Sequence, residues 1–228
     1  MQETYPIDLF ATKGIEYLLV LGFLGALVLF IRLFLSRPVT VAAPVAAVSR
    51  WFTMPGELFF HRGHTWARAE GQELVRVGLD DFAQKLVGVP SELSLPEVGT
   101  RLRQGEEAWK VRVGSRRVEL LSPVDGEVVE RNDAVLRNPD LINRDPYGDG
   151  WLCKVRPARR GVGLPGLMRG RAAREWMEAT EETLRRLVSP TVGVVLQDGG
   201  APVTGIAASL SPDRWDEIAR EFLNPRGR

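Results

Sequence analysis

The chain offers few groups for nucleophilic or acid–base chemistry. Of its 228 residues, 30 are Lys or Arg, yet only Lys13, Lys85, Lys110 and Lys154 are lysines. A lysine ε-amine can be acylated once it loses its proton, whereas an arginine guanidinium stays protonated and is a poor nucleophile. Cys153 is the one cysteine, which excludes an intramolecular disulfide framework and any multi-cysteine metal site. His61 and His64 supply at most half of a metal site, with no obvious carboxylate partner in the sequence. Both therefore read as structural, and no metal is expected. Ser115 has no His or acid nearby in sequence, so a Ser–His–Asp triad would have to recruit His61 or His64 from across the fold. Gly161-Val162-Gly163 runs into Leu164-Pro165 and makes no phosphate loop. No catalytic constellation emerges, and the chain does not read as an enzyme. The densest chemical feature is basic: Arg112-Val113-Gly114-Ser115-Arg116-Arg117.

The elements that must carry these residues begin with a membrane segment. Residues 14–35 hold only Glu16 and Arg32 as charges, one near each end. About 22 helical residues span about 33 Å, enough for a hydrocarbon core of roughly 30 Å. A core helix would show a polar face, and a cleaved signal peptide would start basic, whereas Glu3 and Asp8 here oppose only Lys13. The expectation is an uncleaved single-span anchor in the lipid bilayer. Arg32, Arg37 and Arg50 follow the span, so the positive-inside rule puts the N-terminus outside and the C-terminal bulk in the cytoplasm. Gly22 and Ala26 form a small-xxx-small pair that would admit a second helix.

The remainder reads as globular, with 44% apolar and 26% charged residues. Its 30 basic and 29 acidic residues argue against a nucleic-acid partner. Residues 1–13 precede the span and 36–50 form a Pro- and Ala-rich linker. From 51 to 158, short apolar runs alternate with Gly, Pro and Asp: Leu74–Leu79, Ala108–Val113, Val118–Leu121, Gly126–Val129 and Trp151–Val155. These predict a mainly β domain. A helix is predicted over Asp80–Val87, capped by Asp80 or Asp81 and closed by Gly88, and a second helical turn over Leu136–Ile142. Residues 159–170 read as a second linker and 171–228 as a small α+β region. There, Ala172, Trp176, Ala179, Thr183 and Leu187 share one helix face, Val192–Leu196 reads as a strand before a turn at Asp198-Gly199-Gly200, and Ser211-Pro212 opens a last helix to about Phe222. Trp176 and Trp215 read as core residues of these helices.

Six blocks carry a resemblance. They are His64-Thr65-Trp66 with Val77-Gly78-Leu79-Asp80-Asp81-Phe82-Ala83-Gln84, then Leu95-Pro96-Glu97-Val98-Gly99-Thr100, then Gly105-Glu106, then Ser122-Pro123-Val124-Asp125-Gly126-Glu127-Val128-Val129-Glu130, then Asn138-Pro139-Asp140-Leu141-Ile142-Asn143, and finally Asp145-Pro146-Tyr147-Gly148-Asp149-Gly150-Trp151-Leu152. Their order and spacing from about His64 to Pro157 resemble the H protein of the glycine cleavage system, a lipoyl carrier. The resemblance implies a barrel-sandwich hybrid whose hairpin presents the lipoyl lysine within a pattern like Glu-Ser-Val-Lys-Ala. Counted back from Ser122-Pro123, that lysine position holds Ser115, and the family's glutamate position holds Arg112.

A serine hydroxyl cannot form the lipoyl amide, and residues 112–119 contain no lysine. Lys110 is the nearest, five residues before Ser115, and is expected on the strand below the tip. No cofactor is therefore expected. Arg112, Ser115, Arg116 and Arg117 are instead candidates for docking on an acidic protein surface or anionic headgroups, with Arg116 and Arg117 exposed, against the plainer reading of a solvated basic turn. The leading expectation is a membrane-anchored, non-lipoylated binding module that docks on other subunits of a membrane complex, for instance an electron-transfer complex. The alternative is a membrane-tethered lipoyl carrier modified at Lys110.

Overall fold

The computed structural model describes residues 9–30, 51–158, 164–188 and 202–225. The chain forms two compact units, Met1–Val48 and Ser49–Arg228.

In the first unit, α1 (Leu9–Phe30) is a 22-residue helix whose apolar side chains from Tyr17 to Phe30 are exposed. Among the described residues, however, no helix is long and apolar enough to cross a membrane. Residues 31–35 and the linker 36–50 lie outside the described residues. A Cβ added at Gly22 would meet nothing within 4 Å.

The second unit is a β-rich domain with two antiparallel sheets. The larger has the order β1-β2-β3-β9-β8-β5. Its strands are β1 (Phe59–Phe60), β2 (Thr65–Glu70), β3 (Leu74–Leu79), β9 (Cys153–Pro157), β8 (Gly126–Arg131) and β5 (Arg101–Leu102). The smaller sheet has the order β4-β6-β7, with β4 (Glu92–Ser94), β6 (Glu107–Val113) and β7 (Arg116–Leu121). The predicted strands fall within or beside these, because alternating apolar residues such as Val75, Val77 and Leu79 turn inward. Gly78 is required by its neighbour: a Cβ there would come within 2.6 Å of the buried Trp66 ring. The Trp66 indole N–H donates to the Pro146 carbonyl at 3.0 Å and so holds the Pro146–Gly150 loop over the barrel.

Helix α2 (Asp81–Val87) forms as predicted. Asp80 accepts the Ala83 N–H at 2.8 Å, and Gly88, at φ 96°, closes the helix with its N–H on the Gln84 carbonyl. The predicted turn over 136–142 is instead two short helices, α3 (Asp133–Arg137) and α4 (Leu141–Arg144). Pro139 separates them, since it lacks an N–H and keeps Asn138 out of helical geometry.

The second linker is partly a built element. Residues 159–163 lie outside the described residues, but Met168 bridges Phe60, and Leu164 and Leu167 pack on the core. Helix α5 spans Gly170–Val188. Its buried stripe is Ala173, Met177, Glu181, Leu184 and Val188, one position off the face the sequence suggested. Ala172, Ala179 and Thr183 are exposed, and Trp176 is half-buried. Glu181 hid the true stripe because it reads as polar; in the fold its carboxylate lies 3.6 Å from the Arg185 guanidinium and faces the backbone of Trp51 and Phe52. The strand and turn expected at 192–200 lie outside the described residues.

The last described segment is helical: α6 (Ile206–Leu210), a 3₁₀ turn at Pro212–Arg214, and α7 (Trp215–Leu223). Ser211 makes no side-chain cap, and the α-helix starts only at Trp215. Helix α7 packs on β7 and α6 on α2. Trp215, Ile218, Phe222 and Leu223 thereby join the barrel core, and Trp215 is fully buried as expected.

Candidate functional site

The β6–β7 hairpin is a regular antiparallel ladder, with Val113 opposite Arg116, Arg112 opposite Arg117, Val111 opposite Val118 and Lys110 opposite Glu119. Gly114 and Ser115 form its two-residue tip. Gly114 has φ 61°, which suits glycine at the first central position of a II′ turn. Ser115 is exposed at the apex, so the serine stands where the sequence count put it. Lys110 lies three rungs below the first pair. Its Nζ is 2.7 Å from the Glu119 carboxylate. Glu119 is held below the usual carboxylate range by a hydrogen bond with Glu107 and by Lys110. Lys110 is thus a strand residue engaged in a cross-strand ion pair, away from the tip.

The three hairpin arginines have separate fates. Arg112 forms a forked ion pair with Glu92 on β4, its Nε at 2.7 Å from Oε2. Arg116 was expected to be exposed, yet it is half-buried. Its guanidinium donates to the Pro212 carbonyl at 2.7 Å and lies over the Trp215 ring at 5.9 Å. The C-terminal helices, which sequence could not place, cover that side of β7. Only Arg117 remains fully exposed. The expected patch of Arg112, Ser115, Arg116 and Arg117 is therefore dispersed rather than assembled.

Arg117 points instead to a neighbouring cleft of about 1190 Å³ between the hairpin, the β1–β2 loop, α5 and α7. Its lining includes Arg62, Arg117 and Arg220, with Trp176 and Phe222 as apolar surface. The lining carboxylates Glu119 and Glu107 are engaged, the first with Lys110 and the second with the Asn224 amide at 3.2 Å. Among the described residues, the guanidinium groups of Arg62, Arg117 and Arg220 make no ion pair and no hydrogen bond.

His64 also reaches the cleft. Its Nδ1 lies 2.8 Å from Asp80 Oδ2, and both residues are buried. The ring stacks on Phe82 at 4.1 Å and tilts against Trp176 at 4.6 Å. It has φ 59°, a left-handed conformation rare for a non-glycine, which these contacts hold in place. His64 has a carboxylate partner 16 residues away that spacing did not reveal. Nearby His61 has its pKa lowered by burial and by His64 and Arg62. Burial pushes the Cys153 thiol up to about 12, so it is a poor nucleophile. Among the described residues no group of three or more metal-ligating side chains forms. Sequence reasoning missed Arg62 and Arg220, which carry no local signal: the fold brings them beside Arg117 from distant segments.

Comparison with known proteins bears on this geometry. Residues 58–180 match the family described as Glycine cleavage H-protein. The chain is 38% identical over 128 residues to the glycine cleavage system H protein of Marinobacter nauticus, covering 56% of this chain and 98% of that protein. It is 42% identical over 102 residues to the protein of the same name from Stenotrophomonas maltophilia, covering 45% and 78%. The crystal structure of a glycine cleavage system H protein from Mycobacterium marinum is also similar, at 32% identity and a TM-score of 0.49, covering 56% of this chain and 99% of that one. The matched stretch ends inside α5, so α6 and α7 lie beyond it.

Proposed function

Because this chain belongs to the glycine cleavage H-protein family yet carries serine at the apex of its β6–β7 hairpin, we propose that it is a non-lipoylated docking module rather than a lipoyl carrier. One observation carries this reading: the two-residue tip holds Gly114 and Ser115, and Ser115 has no ε-amine to acylate. A carrier arm must project freely from its scaffold. Lys110 is a poor substitute, being paired to Glu119 within the ladder. What is left of the carrier is a recognition scaffold.

The apolar N-terminal sequence supports a membrane anchor that places this scaffold at the cytoplasmic face. There it would act as an accessory subunit, docking on other subunits of a membrane complex. Anchoring confines the search for partners to two dimensions. The test is purification of the native full-length protein in mild detergent, with mass spectrometry of both bait and co-purified chains. The proposal expects membrane subunits in stoichiometric amounts and an unmodified bait. Recovery of glycine-cleavage enzymes with a lipoyl group on Lys110 overturns it in favour of the carrier reading.

A further inference from the structure

The structure points to where a partner docks and what chemistry it presents. We infer that the cleft between the hairpin, α5 and α7 binds an acidic peptide segment of a partner protein, held by Arg62, Arg117 and Arg220. The inference rests on the docking reading above and deepens it.

Charge on this face is used unevenly. Arg112 and Arg116, the sequence candidates, are already committed to Glu92 and to the Pro212 carbonyl. An arginine engaged inside its own domain has to break that contact before it can bind a partner. Arg62, Arg117 and Arg220 have none to break among the described residues. They come from the β1–β2 loop, β7 and α7, and they meet around one concavity. Among the carboxylates of the lining, Glu119 is balanced by Lys110, whereas Glu107 accepts from the neutral Asn224 amide and keeps its charge, as does Glu221. Three arginines thus face two further carboxylates, and among the described residues the cleft keeps an excess of positive charge.

Each guanidinium presents a planar fork that fits a carboxylate in two parallel hydrogen bonds. The shape selects between anions. Pockets for small ligands are typically about 300–1,000 Å³ and enclose most of the ligand. This cleft, at about 1190 Å³, is a surface groove whose three arginines are all exposed. Its walls include apolar surface from Trp176 and Phe222. A chain segment with acidic side chains flanking an apolar one satisfies both features, and a small phosphate or carboxylate satisfies only the first. Arginine at the contact and aromatic surface beside it are also the residue types that dominate protein–protein recognition.

The experiment screens the full-length protein in detergent against a library of random 12-residue peptides, then measures fluorescence anisotropy with the enriched peptides. Three proteins are compared: wild type, the variant Arg62→Gln/Arg117→Gln/Arg220→Gln, and the control Arg101→Gln/Arg103→Gln. The substituted cleft residues are exposed, so folding is expected to be preserved, and matched thermal melts verify it. The inference expects enrichment of Asp- and Glu-rich peptides, at least tenfold weaker binding to the triple variant, unchanged binding to the control, and affinity that falls as salt rises. Enrichment with no acidic bias overturns it, as does equal binding to wild type and triple variant. Inorganic triphosphate that binds wild type alone and displaces the peptides at lower concentration also overturns it, in favour of a small-anion site. If the triple variant still co-purifies with the native subunits, docking stands and only its assignment to this cleft is lost.

Discussion

Charge is handled in opposite ways at α2 and at the cleft rim. Around α2 every charged side chain has work inside the fold. Asp80 caps the helix and bonds His64; Asp81 accepts the Thr53 N–H at 2.8 Å and pairs with Lys85 at 3.0 Å. Lys85 also reaches the Trp51 carbonyl, and the Tyr147 hydroxyl donates to the Thr53 carbonyl at 2.6 Å. Phe82 lies fully buried within this region, in ring contact with Phe52, His64 and Phe222. At the cleft rim, three arginines are exposed and uncommitted among the described residues. A buried charge without a partner is costly, so the α2 region is satisfied for stability. An exposed charge without a partner costs little and stays available for binding.

Substitutions that break this contrast rank by burial. Phe82→Ala should cost the most, about 3–5 kcal/mol, because a large buried ring leaves a cavity among three aromatic neighbours; urea denaturation measures it. Asp80→Ala should cost about 3 kcal/mol by the same assay, losing a helix cap and leaving His64 unpartnered. At the hairpin, the neighbouring pair sharpens the comparison. Arg116→Gln should cost about 1 kcal/mol, through lost contacts to Pro212 and Trp215, whereas Arg117→Gln should stay within about 0.5 kcal/mol of wild type.

The smallest effect is a pH dependence. Burial raises the Glu181 pKa above its ordinary value, so the folded state holds that proton more tightly than the unfolded chain. The contribution of this group to stability is then present in full below the unfolded pKa and is lost as pH rises through the folded one. Stability measured against Glu181→Gln should accordingly favour wild type less at pH 7 than at pH 4. A flat difference across that range would show that Glu181 keeps its proton affinity unchanged on folding.

The barrel was legible from sequence because its signals are local. Alternating apolar residues, the Asp80 cap and Gly88 each act within a few residues, whereas the strands β1, β2, β4 and β5 and the split into α3 and α4 at Pro139 were not read from the sequence. The hairpin tip could be counted from Ser122-Pro123 because a two-residue turn fixes the register. The C-terminal region was not legible in the same way. Glu181 sits in the buried stripe of α5 for a reason that lies 129 or 130 residues away, at Phe52 and Trp51. Arg116 looked free because nothing near it in sequence announces Pro212 or Trp215. The cleft was invisible for the same cause: its cations lie at 62, 117 and 220.

The central claim is that this scaffold lost its carrier function at one residue, and intact-mass spectrometry tests it most directly. Wild type and Ser115→Lys would be expressed side by side in lipoate-competent cells and weighed whole. The account predicts an unmodified mass for wild type and the added mass of one lipoyl group for Ser115→Lys. A lipoyl adduct on wild type, mapped to Lys110, would contradict it.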